Sequence, residues 1–115
     1  MRFFIILTAL TLLGCSEELR FENSNATFER SIWDSSISER YQMLQSVSNY
    51  NVVGLKRIEI ISLLGEPDGY YLYDEFPAYR LNETKDCVVV FTIEHETGKV
   101  TNMSVEPKNC AYQAN

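Results

Sequence analysis

Beyond an apolar start, the chain changes hydrophobic period twice. In "IWDSSISERYQMLQSVSNY", Trp33, Ile37, Tyr41, Leu44 and Val47 or Ser48 recur at steps of three and four, the spacing of one helical face. Ser36 followed three residues later by Glu39 has the form of a capping box, so the pattern predicts a helix starting near residue 36. It should end in the polar cluster Ser48–Asn51. A second, shorter helix is expected in "VGLKRIEIISLLGEPDG", with Leu55, Ile58, Ile61 and Leu64 or Leu63 as its buried stripe. Gly65 suits the position past its end, where a positive φ is needed, and Pro67 prevents continuation. Lys56 is a weak N-cap, since its cation meets the positive end of the helix dipole.

After Gly69 the period falls to two. "YYLYDEF", Tyr70–Phe76, reads as an aromatic strand, and the stretch with Pro77 and "LNETKD" reads as a looser connection. "CVVVFTIEH" and "KVTNMSVE" then form a hairpin through "ETG", with Gly98 left-handed in a three-residue loop. That closure makes opposite residue numbers sum to a constant, pairing Ile93 with Thr101, Phe91 with Met103 and Val89 with Val105. One face of the hairpin is then apolar. The expected fold is α+β: two N-terminal helices on one face of a three-stranded antiparallel sheet, in a single domain over residues 32–115.

The first 14 residues stand apart from this pattern. Arg2 precedes an apolar and small stretch, Phe3–Gly14, of signal-peptide length and too short to span a bilayer core of ~30 Å. It ends in "LLGC", which resembles the lipobox of bacterial lipoproteins. That resemblance implies cleavage before Cys15, acylation of Cys15 and a stable membrane anchor. An ordinary secreted protein with a cysteine near its cleavage site is the alternative. Ser16, rather than aspartate, after the cysteine favours the outer membrane where a cell has two. Residues 15–31, "CSEELRFENSNATFERS", then read as a polar tether.

An exported chain with two further cysteines suggests a Cys87–Cys110 disulfide, two free thiols being the other option. Once Arg2 leaves with the signal, nine basic residues face sixteen acidic ones. Such a balance argues against nucleic acid as a partner.

The segment "VGLKRIEIISLLGEPD", the aromatic strand and "VVVFTIEHETGKVTNMSV" together resemble small lipoproteins of the BamE/SmpA outer-membrane assembly type, and still more the uncharacterised lipoproteins sharing that fold. Gly54 and Leu55 match the helix entry, Leu63, Leu64, Gly65 and Pro67 its exit, and Gly98, Lys99 and Val100 the hairpin turn. The resemblance runs over about Trp33–Glu106. Every matched motif is structural, so it implies the fold and leaves the partner open.

Catalytic or metal chemistry finds little support. His95 is flanked by Glu94 and Glu96 at the hairpin tip, but neighbours in a strand face opposite ways, and an exposed turn histidine is the simpler reading. Glu66 and Asp68 in "EPDG" suit a helix stop and turn. No enzyme activity and no cofactor are expected. Tyr70, Tyr71 and Tyr73, beside Asp74 and Glu75, suit a protein-binding surface or a glycan platform if part of the strand stays exposed, and sheet packing if it does not. The resulting expectation is a lipid-anchored binding or adaptor module for envelope proteins at the periplasmic face of the outer membrane. An inhibitor or immunity-type protein that blocks an enzyme or toxin is the alternative.

Overall fold

The computed structural model describes residues 19–72, 75–84, 86–108 and 110. The signal-like segment, Cys15, Tyr73 and Asp74 lie outside them. The fold is α+β, with a four-stranded antiparallel sheet rather than three strands. The elements are α1 (Arg30–Ser35), single 3-10 turns at Ile37–Glu39 and Tyr41–Met43, α2 (Leu44–Ser48), α3 (Arg57–Leu64), β1 (Gly69–Tyr71), β2 (Phe76–Arg80), β3 (Val88–Ile93) and β4 (Val100–Glu106).

The helix expected from residue 36 is therefore replaced by short pieces, and Ser36 does not cap. Its backbone is extended (φ −140°, ψ 94°), and its side chain makes no capping hydrogen bond. Arg40 supplies the reason. In a straight helix, Trp33 and Arg40 would stand two turns, about 10 Å, apart. The break at Ser36 instead lays the Arg40 guanidinium over the Trp33 indole, 4.9 Å from the ring centroid, with Nε donating to the Trp33 carbonyl at 2.8 Å. Asp34, Ser35 and Ser36 resist this break weakly, because their side chains favour caps and turns over helix interiors.

Part of the expected tether is packed onto these pieces. The Gln45 amide accepts from the Phe21 N–H (2.9 Å) and donates to the Leu19 carbonyl (3.0 Å). Tyr41 donates to the Glu22 carbonyl at 2.7 Å, and the Ser24 hydroxyl, itself buried, donates to the Gln42 carbonyl at 2.9 Å. The packed body thus includes Leu19–Ser24, ahead of residue 32.

α3 stops where expected. Gly65 takes φ +91°, and its N–H closes the last turn on Ile61. At its start, the Glu59 carboxylate accepts from the Lys56 N–H at 2.8 Å, which compensates for the poor N-cap. The buried face differs from the expected stripe: Ile60 and Leu64 are buried, whereas Ile58 is 66% exposed.

The sheet runs β1-β2-β3-β4. The Tyr70–Phe76 segment is not one strand; β1 ends at Tyr71, and the chain returns as β2 through the stretch read as a loop, with Pro77 opposite Tyr70. In the hairpin, Phe91 faces Met103 and Val89 faces Val105 as expected, but Ile93 faces Val100. Gly98 N–H bonds the Glu94 carbonyl, and Glu94 N–H the Lys99 carbonyl, so the loop is His95–Gly98, one residue longer than "ETG". A bulge on β4 at Thr101 absorbs the extra residue and restores the lower register.

The odd-numbered strand residues Tyr79, Val89, Phe91, Met103 and Val105 pack under the helical pieces with Trp33, Leu44, Val47, Ile60 and Leu64. A row of edge-to-face rings, Phe28–Trp33–Tyr79–Phe91, crosses from the N-terminal segment into the sheet, with centroids 5.9 Å apart at each step. A Cys87–Cys110 disulfide ties the chain beyond β4 back to the start of β3.

Candidate binding surface

β1 is an edge strand of three residues, and it carries two of the three tyrosines singled out from the sequence, Tyr70 and Tyr71. Because side chains alternate along a strand, Tyr70 points to the helical side and Tyr71 to the open face. Neither is covered: Tyr70 is 44% exposed, Tyr71 38% and Leu72, just beyond the strand, 55%. Of the two alternatives, an exposed strand and a packed one, both described tyrosines follow the exposed one. Leu72 turns the chain with φ +54°. Glu75, also exposed, re-enters the sheet, its N–H bonding the Leu72 carbonyl at 3.1 Å.

Arg57, the first residue of α3, binds this edge to the helix. Its guanidinium lies 5.8 Å from the Tyr70 ring centroid, and Nη2 donates to the Glu75 carbonyl at 2.9 Å. Beside it is a groove of about 410 Å³ whose lining includes Arg57, Ile58, Glu75, Glu94 and His95. Ile58 and Tyr70 thus expose apolar surface beside one arginine, a composition that suits protein contacts. His95 sits exposed in the hairpin turn, and the neighbouring Glu94 carboxylate accepts from the Thr97 hydroxyl at 2.9 Å.

Behind the edge lies a polar network that sequence reasoning missed. Asp68 Oδ2 accepts from Arg40 Nη1 (2.8 Å) and from the Arg80 backbone N–H (2.8 Å), while Arg40 Nη1 also donates to the Arg80 carbonyl (3.1 Å). Asp68 is therefore more than a turn residue, because it joins the helical layer to β2. One signal for it was present: Arg40 falls seven residues after Trp33, on the apolar face, where a cation needs a buried partner. Tyr79 supports the same corner, donating to the Gly65 carbonyl at 2.7 Å. Burial foremost, with Tyr70, Asp68 and Glu66 nearby, pushes the Tyr79 phenol far above its ordinary range, against the opposing effect of Arg40. Tyr41 is raised too, by burial and then by Glu22.

Compared with family models, with curated proteins and with solved structures, the chain matches none of them.

Proposed function

We propose that the chain is a lipid-anchored, non-enzymatic binding module that engages envelope proteins at the periplasmic face of the outer membrane, in the assembly or maintenance of that membrane. The observation that carries this reading is "LLGC" at the end of the Phe3–Gly14 apolar run. The packing of Leu19 adds support. Three residues separate it from Cys15, so the body would sit within about 14 Å of the anchor. A domain held that closely reaches only partners at the same membrane. The apolar and tyrosine surface around Arg57 would be its contact region.

The test is membrane fractionation with a labelled fatty acid. The natural chain should take up label and sediment with the outer membrane, and Cys15→Ala should do neither; unchanged sedimentation of the variant would refute the anchor. Cross-linking in intact cells from a photoreactive residue at Tyr71 should join a resident envelope protein. A basic hydrolase or toxin recovered in stoichiometric amount would replace the adaptor by the inhibitor reading.

A further inference from the structure

We propose that the corner formed by Leu19–Asn23 and Lys108 is seated on the phospholipid headgroups of the anchoring membrane, with the surface around Arg57 turned away from them. This orientation rests on the lipid-anchor reading and adds to it the face that the membrane covers.

The reach of the chain sets the orientation. Only Ser16, Glu17 and Glu18 stand between Cys15 and Leu19. Leu19 already belongs to the packed body: its carbonyl accepts from the Gln45 amide at 3.0 Å, and its side chain lies against the core. Gln45, Tyr41 and Gln42 then hold Phe21, Glu22 and Ser24 in turn. An acylated Cys15 lies at the level of the lipid glycerols. Four Cα steps put Leu19 within about 14 Å of that level, and headgroups fill roughly 5–8 Å of the distance. Little room for water remains between them and the body.

Leu19–Asn23 share a groove with Lys108 and the lower part of β4, Met103–Val105. Arg20 and Lys108 are exposed there, each carrying its charge on a long stem that can extend to lipid phosphates. Glu22 is exposed beside them, and Glu17 and Glu18 precede them in the chain. Charge therefore does not hold this corner to the bilayer; the short link to Cys15 does, and the two cations make the headgroup contacts. The Arg57 surface lies diagonally across the sheet. β1 and β4 are its opposite edges, three strand spacings or ~14 Å apart. The groove beside Arg57 also reaches Gly98 at the hairpin tip, six residues or up to ~20 Å along the strand from Ser104. Glu75, Glu94 and Glu96 are exposed at that end beside Lys56 and Lys99, while Arg57 is engaged with Tyr70 and the Glu75 carbonyl. That corner has no surplus of cations to lay it on phosphates. With the Leu19 corner seated, the Arg57 surface stands about 20 Å off the headgroups, so its partner must project that far from the membrane.

The test is amide relaxation by NMR on the natural, acylated chain in phospholipid bicelles doped with a gadolinium-chelating headgroup lipid. Relaxation at Arg20 and Lys108 should exceed that at Ile58 and Glu96 by about tenfold or more, as for corners ~20 Å apart. The Cys15→Ala chain should show no relaxation at either corner. Three results would overturn the orientation: equal relaxation at both corners, as from a domain lying flat; stronger relaxation at Ile58 and Glu96; or none at either in the acylated chain. Any of these with fatty acid present on Cys15 would defeat the seat and leave the anchor standing. A chain recovered from its own cells without fatty acid on Cys15 would defeat the anchor, and the seat with it.

Discussion

Replacing Asp68 by alanine should destabilise the domain more than replacing Arg40 by methionine, although both substitutions break the same ion pair. The Arg40 side chain is 8% exposed and that of Asp68 27%. Without Asp68, the guanidinium remains in a site nearly closed to water, held only by the Trp33 and Arg80 carbonyls and the indole face. Stranding a buried charge costs about 3–5 kcal/mol, and partial solvent access on the Asp68 side places the expected loss near the lower bound, about 3 kcal/mol. Arg40→Met keeps most of the packed stem and strands no buried cation. Asp68 can rehydrate and still accepts from the Arg80 N–H, so the loss is that of the carbonyl hydrogen bonds, about 1–2 kcal/mol. In the Arg40→Met background, Asp68→Ala should then add less than about 1 kcal/mol, a coupling near 2 kcal/mol. Urea unfolding of the four oxidised chains measures all of these terms. If Arg40→Met proves the more damaging, or the two losses add, the guanidinium is not held as a desolvated charge.

Replacing Cys87 and Cys110 together by alanine releases a closed loop with a sequence separation of 23 and should lower stability by about 3 kcal/mol in the chain-entropy model; an unchanged urea midpoint would contradict it. Gly98→Val should cost about 1–2 kcal/mol through backbone strain alone, because φ is +72° and no atom lies within 4 Å of the added Cβ. An unchanged urea midpoint would show that the turn carries no strain. Tyr79 has a folded pKa raised above its ordinary 10.0, so its contribution is fully present below that pH and declines as the pH rises above it. Tyr79→Phe should flatten that alkaline decline while losing about 1 kcal/mol at neutral pH, and an unaltered slope would assign the decline to other groups.

The parts of the fold legible in the sequence are those fixed by local pattern. Val89, Phe91, Met103 and Val105 fall on one apolar face of the hairpin, and Gly98 marks the turn, so the lower hairpin register follows from face and loop together. The tip did not follow, because a loop one residue longer and a bulge at Thr101 cancel each other below Thr92. A face pattern is blind to two compensating backbone irregularities. β2 was hidden by Pro77, which ordinarily argues against a strand flanked on both sides. In α3, Ile58, Ile60, Ile61, Leu63 and Leu64 surround much of the helix, so several phases fit equally well. Contact with the sheet, rather than periodicity, selects Ile60 and Leu64.

The candidate surfaces were legible in chemistry but not in exposure. Alternation correctly puts Tyr70 and Tyr71 on opposite faces, yet whether either face is covered depends on what lies next to β1. That neighbour, β2, was absent from the expected sheet. With three strands, the aromatic segment would have paired directly with the hairpin. With four, β1 is pushed to the edge and both tyrosines stay open. Residue identity can therefore name a sticky segment, but strand order determines which of its side chains stay open.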